Sequence, residues 1–176
     1  MRAFIAMEIK NESVKDNIIK IQEELIKQYT FVKPVKRDQL HFTLLFLGEI
    51  DESMLIKIKE SLKALTFKPV EVIYKGIGAF PNTRSARVIW IGVDENSSNE
   101  LRKIAKMVED KLAPLGFEND KEFTAHITIL RAKDRVSIRE SNDVIGKELL
   151  DEIKVKKSEL KPDGPIYTDL FTIHAC

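Results

Sequence analysis

The sequence predicts an α+β fold of two similar lobes facing a shared central cleft. Short apolar runs alternate with segments whose apolar residues recur every three or four positions, and the order strand, helix, strand is met twice. The two passages also keep register. Arg2 and Arg87 each open an apolar strand, His41 and His126 each stand in one, and both pairs lie 85 residues apart. Such a match reads as an internal duplication in which each copy gives one equivalent strand to the cleft.

From the N-terminus, Arg2 to Ile9 has strand composition, and Asn11 and Ser13 are candidate caps for the helix that follows. Val14, Ile18, Ile21, Leu25 and Tyr29 share one face of that helix, and Pro34 with its neighbours closes the segment. Leu40 to Leu47 is the next strand, ended by Gly48. Asp51 caps a second helix with Leu55, Ile58, Leu62 and Leu65 on its buried face, and Val70 to Ile77 returns as a strand before a turn at Phe80-Pro81-Asn82. The second passage starts with a strand at Ala86 to Val93. A helix capped by Ser97 or Ser98 carries Leu101, Ile104, Val108 and Leu112, and beyond Gly116 comes a strand at Phe123 to Leu130. A helix at Ser137 to Lys147 and two strands, Ile153 to Leu160 and Ile166 to His174, complete the pattern. Pro162-Asp163-Gly164-Pro165 turns between the last two.

A chain of 176 residues, 43% hydrophobic and 32% charged, suits one domain spanning residues 1–176 and excludes a disordered chain or a large multidomain machine. Lys+Arg 29 against Asp+Glu 28 leaves a net charge of +1, so no global field holds this protein on nucleic acid or a membrane. An anionic substrate must therefore be bound locally. The single cysteine, Cys176, excludes an internal disulfide framework and a cysteine-built zinc site, and fits a reducing compartment, the cytoplasm by default. The opening MRAFIAMEIK is too short in apolar residues for a signal peptide, and no run approaches the ~18 residues of a membrane span.

The chemistry concentrates in His41-Phe42-Thr43-Leu44 and His126-Ile127-Thr128-Ile129. With eight threonines in the chain, finding Thr two places after two of three histidines is roughly a one-in-a-hundred coincidence. Strand alternation projects each His and its Thr to one face while the apolar neighbours pack to the other. Two imidazoles and two hydroxyls across a groove suit a phosphodiester: one neutral imidazole deprotonates the nucleophile, a charged one protonates the leaving alkoxide, and the hydroxyls stabilise charge on the non-bridging oxygens. A bell-shaped rate profile belonging to the pair follows. His174, with no Thr after it, reads as an ordinary strand-end residue.

At these residues the chain resembles the two-histidine (2H) phosphoesterase superfamily, most closely its RNA 2',3'-cyclic phosphodiesterase branch, also called the 2'-5' RNA ligase family. The similarity spans RAFIA (2–6), HFTLLFLGE (41–49), ARVIWIGV (86–93), AHITILR (125–131), and Ser158-Glu159-Leu160 through Gly164-Pro165 to Tyr167. The resemblance implies mostly antiparallel sheets related by a pseudo-twofold axis, with helices outside. It also implies hydrolysis of RNA terminal 2',3'-cyclic phosphates to 2'-phosphates without metal or other cofactor, with reverse joining of tRNA halves in some members. The expected partner is an RNA 3' end, bound by a monomer with no membrane contact. His126 corresponds to the proton acceptor and His41 to the proton donor, while Thr43, Thr128 and Arg131 correspond to phosphate-binding groups. Strict alternation puts Arg131 on the wrong face, so it reaches the site only where the strand ends or bulges after Leu130.

Lys33, Lys36, Arg37, Arg84 and Arg135 are basic residues near the motifs that could line an RNA path, but a solvated face explains any single one of them better. Phe80, Trp90 and Tyr167 read as packing aromatics before stacking platforms. Two rival readings remain. A metal enzyme lacks ligand spacing around either histidine, and a non-catalytic RNA-end or nucleotide-binding module would keep the cleft without turnover.

Overall fold

Every strand belongs to one of two antiparallel sheets. In the computed structural model, which describes residues 1–176, the elements are β1 (Arg2–Glu8), α1 (Glu12–Gln28), β2 (Val32–Pro34), β3 (His41–Glu49), α2 (Glu52–Lys63), β4 (Val70–Phe80), β5 (Ala86–Val93), α3 (Glu95–Leu112), β6 (Ile127–Val136), β7 (Ser141–Leu150), β8 (Glu152–Lys161) and β9 (Gly164–His174). One sheet has the order β3-β1-β8-β9 and the other β2-β6-β5-β4-β7.

The duplication is visible in the pairing, with one departure from the expected lobes. β1 pairs with β3, and β5 with β6, as equivalent hairpin-like units. β4, which follows β3, and β8, which follows β7, cross to the other sheet: β4 pairs with β5, and β8 with β1. Neither lobe is therefore a half of the sequence. The crossing places β1 and β5 inside their sheets, which is why both read as nearly continuous apolar runs. Buried side chains from both sheets and all three helices join one cluster of 39 residues, so the sheets share a continuous core.

Local chemistry accounts for the helix starts. Asn11 and Asp51 cap α1 and α2 by accepting from the N–H of Val14 and of Met54. α3 is capped by Asp94 rather than by Ser97 or Ser98. Ser97 is buried, and its Oγ accepts from the Ile73 N–H of β4 at 2.9 Å. The buried stripes Val14, Ile18 of α1 and Leu101, Ile104, Val108, Leu112 of α3 are those the periodicity marks. α1 packs against β6 and β7, where Gly146 leaves room for Val14: a Cβ there would lie 2.8 Å from Val14 Cγ2.

The largest correction concerns Ser137 to Lys147, which is not a helix. Residues 141–150 form β7, antiparallel to the edge of β4 from Val70 to Ile77. Ile145 and Leu150 turn inward while Val144 and Leu149 stay exposed, so a spacing compatible with a helix is overridden by an edge in need of a partner. Tyr29 O–H donates to the Ser137 carbonyl ahead of this strand. The strand expected at Phe123 to Leu130 instead begins at Ile127 and continues to Val136. The short β2, with no counterpart in the sequence reading, pairs with β6 as Val32 to Ala132, Lys33 to Arg131 and Pro34 to Leu130.

Candidate active site

β3 and β6 approach each other where the two sheets meet, and each presents one histidine. His41 opens β3, and His126 stands immediately before β6. Each ring is anchored in the same way. His41 Nδ1 lies 2.6 Å from the Gln39 carbonyl and His126 Nδ1 2.8 Å from the Thr124 carbonyl, both two residues upstream and again 85 apart. A carbonyl only accepts, so Nδ1 carries the proton in both rings and Nε2 is the reactive nitrogen. His41 Nε2 is 3.0 Å from Thr43 Oγ1, as alternation predicts; no such bond engages His126 Nε2.

A β-bulge follows each motif. Along β5, Ile89 pairs with Leu130 and Trp90 with Thr128, so Ile129 is the extra residue; along β1, Ile5 pairs with Leu45 and Ala6 with Thr43, so Leu44 is. Ile129 and Leu130 are consecutively buried, as are Leu44 and Leu45. The parity change returns Arg131 to the face of Thr128, so Arg131 reaches the site through a bulge before Leu130 rather than after it. Its charge is felt by both imidazoles and by Tyr167.

The same change turns Phe46, 85 residues before Arg131, onto the face of His41, where it is 73% exposed. Sequence reasoning missed Phe46, although the repeat offset that pairs it with Arg131 was available to find it. Each bulge carbonyl is held by a side-chain amide. Gln22 Nε2, from the buried face of α1, donates to Ile129 O at 2.8 Å and Val35 O at 2.9 Å, and Asn119 Nδ2 donates to Leu44 O at 3.2 Å.

Aromatic rings wall both imidazoles. His41 lies beside Phe4 and edge-on to Tyr167, with centroids at 5.1 and 5.6 Å. His126 meets Phe80 edge-on at 5.0 Å and Trp90 at 6.3 Å. Phe80, Trp90 and Tyr167 thus lie outside the core in which an apolar strand would place them, and pack against the histidines instead. Trp90 fits only because Gly78 has no side chain, since a Cβ there would lie 2.3 Å from the indole.

Beside His41, Lys154 and Lys156 of β8 alternate with Glu8 of β1 and Asp169 of β9 in a four-membered ring, each N–O distance 2.7 or 2.8 Å. Lys156 is only 5% exposed, so the carboxylates are what permit its charge there. Burial pushes the Glu8 and Asp169 carboxyls up, and the lysine bonds outweigh it, holding both below the ordinary range.

Both imidazoles are held below the ordinary value. Burial is the main cause for each; the Nδ1 bond to a carbonyl opposes it, and Arg131 adds to it. At His41, Lys156 pushes further down and Glu8 pushes back. Without a bound anion, both rings are neutral near pH 7.

The other basic candidates separate. Arg37 is committed to Glu12 and Asp16 at 2.6 and 2.7 Å, and Arg135 donates to Ser85 Oγ. Lys36 and Arg84 are exposed away from any side-chain partner, whereas Lys33 pairs across the ladder with Arg131. His174 is an exposed strand end, 3.6 Å from Glu152. A concavity of about 410 Å³ lies elsewhere, between α3 and residues 119–123, and contains no histidine. No helix is long and apolar enough to cross a membrane.

The model of the LigT-like phosphoesterase family matches this chain twice, over residues 9–90 and 91–167, with one of the two histidines in each match. An RNA 2',3'-cyclic phosphodiesterase of Archaeoglobus fulgidus is 40% identical over 97% of this chain and 98% of its own length. Its counterpart in Methanocaldococcus jannaschii is 39% identical over 95% and 96%. Among solved structures, TT0787 of Thermus thermophilus superposes with a TM-score of 0.86 at 28% identity, covering 99% of this chain and 97% of that one. E. coli LigT complexed with 3'-AMP superposes with a TM-score of 0.82 at 25% identity, with the same coverage.

Proposed function

The chain belongs to the LigT-like phosphoesterase family and is an RNA 2',3'-cyclic phosphodiesterase, and we propose that it opens the cyclic ester by acid–base catalysis between His126 and His41. One observation carries this reading. Two imidazoles, each fixed through Nδ1 to a backbone carbonyl, keep Nε2 for chemistry and share the field of one unpaired arginine.

His126 Nε2, which has no internal hydrogen bond, takes a proton from water as the water attacks phosphorus. His41 Nε2–H gives a proton to the departing 3'-oxygen, leaving a 2'-phosphate and a 3'-hydroxyl. The phosphate's negative charge opposes the burial that depresses His41 and so favours the protonated acid once substrate is bound. Thr43 and Thr128 donate to the non-bridging oxygens, and Arg131 faces the charge that accumulates on them. The Thr43 hydroxyl that rests on His41 Nε2 turns to the phosphate when His41 becomes a donor. Phe46 offers an exposed ring on the same face to the terminal base.

No three His, Cys, Asp or Glu side chains converge as a metal-ligand set, and the proposed reaction uses only the imidazoles, hydroxyls and guanidinium. A 5'-hydroxyl attacking in place of the water, with its proton going to His126 and the 3'-oxygen leaving as before, gives 2'-5' joining. Water's excess makes hydrolysis the dominant direction. The test is incubation with RNA ending in a 2',3'-cyclic phosphate in the presence of EDTA. Accumulation of the 2'-phosphate supports the scheme, release of a 3'-phosphate overturns the choice of leaving oxygen, and absence of turnover supports a binding module instead.

A further inference from the structure

Beyond the terminal phosphate, we infer that Lys33 and Phe31 at the edge strand β2 bind the nucleotide that adjoins the cyclic end, making the preferred substrate an RNA strand rather than a free nucleoside cyclic phosphate. The inference rests on the reaction proposed above.

Lys33 is the ladder partner of Arg131, so the two side chains leave the sheet on one face, with backbones about 5 Å apart. Val32 packs against the core, which independently sets Lys33 on the opposite side. Neither Lys33 nor Arg131 has a carboxylate within ion-pair distance, unlike Arg37 and the lysines of β8. Glu159, on the neighbouring hairpin, is already held by Lys157 and Lys161. The hairpin passes beside Lys33 at Gly164, where even a Cβ would meet Nζ at an ordinary contact distance of 3.4 Å, so the hairpin flanks the ammonium without covering it with a charge. Two unneutralised cations side by side, one acting on the histidines, suit two successive phosphates of one strand.

Phe31 supplies the second half of the inference. It is 65% exposed, and its φ of 63° places a bulky residue in the left-handed region, a conformation with a cost and no packing return inside this chain. The Lys133 N–H holds it there by donating to the Phe31 carbonyl at 3.0 Å. An aromatic ring kept in solvent two residues from an unpaired lysine is the pairing by which proteins hold single-stranded nucleic acid: a stacking face beside a phosphate contact.

The experiment compares kcat/KM on a nucleoside 2',3'-cyclic monophosphate with kcat/KM on a short oligoribonucleotide bearing the same end. The wild-type protein should favour the oligonucleotide, and Lys33→Ala and Phe31→Ala should each lower the oligonucleotide-to-mononucleotide ratio about tenfold, as loss of one stacked base or phosphate contact does. For Lys33→Ala, the slope of log(kcat/KM) against log(salt) on the oligonucleotide should shrink by about 0.7. Lys20→Ala, which removes an exposed charge from α1, should leave the ratio and the slope as they were. A ratio unchanged in both Lys33→Ala and Phe31→Ala, or lowered equally by Lys20→Ala, overturns the subsite while leaving the reaction intact. A wild-type protein inactive on both substrates overturns the reaction and the subsite with it.

Discussion

An imidazole held neutral by burial becomes an acid only when something negative arrives, and in this protein the candidate is the substrate itself. In the free protein the His41–His126 pair titrates below the ordinary value of 6.5, so the singly protonated state needed for turnover is lost as pH rises through the pair's upper pKa. The alkaline limb of kcat/KM should therefore lie below pH 6.5, and the limb of kcat, which reports the phosphate-bound state, should lie higher. Arg131→Met removes a positive charge that disfavours both imidazolium forms, so its kcat/KM limb should move to higher pH. A limb that stays put or moves down would show that Arg131 does not face the pair. His41→Ala and His126→Ala should each reduce kcat about 10²–10⁴-fold on cyclic-ended RNA. Losses below tenfold would show that these imidazoles are not the acid and base.

At the scale of elements, the paired β-bulges matter more than the strands that contain them. They break the alternation that would have sent Arg131 and Phe46 away from the histidines, and their carbonyls are held by amides from outside the sheets. Gln22→Met keeps the volume but leaves the part-buried Val35 carbonyl without that donor and the buried Ile129 carbonyl with one fewer. It should destabilise the protein by about 1–3 kcal/mol. If Gln22 acts on catalysis by setting the direction of Arg131, its effect on kcat/KM should largely vanish in an Arg131→Met background, and full additivity would refute that link. Gly78→Ala should displace the indole that walls His126. Because Trp90 is the only tryptophan, a shift in intrinsic fluorescence together with lower kcat should report this, and an unchanged emission spectrum would argue against it. The bulges were not legible in the sequence, since a bulge is defined by the partner strand. The caps Asn11 and Asp51 were legible because N-capping is local, whereas Asp94 was passed over for two serines, one of which β4 uses instead.

At the scale of the molecule, the crossing of β4 and β8 between sheets ties the two halves of the sequence into shared ladders. We expect residues 1–176 to unfold as one domain: Trp90 fluorescence and far-UV circular dichroism should trace coincident denaturant transitions, and two separated midpoints would show that the lobes are independent. What the residues determined alone was the alternation of apolar runs, the repeat of 85, and the matched spacing of His41 with Thr43 and of His126 with Thr128, because these follow from side-chain type and position along the chain. The tertiary structure alone decided that residues 141–150 extend along β4, that β4 and β8 trade sheets, and that Arg131 turns back toward the histidines. Each of those outcomes depends on which backbone edge lies alongside, and a hydrogen-bonding edge has no signature in the segment that will pair with it.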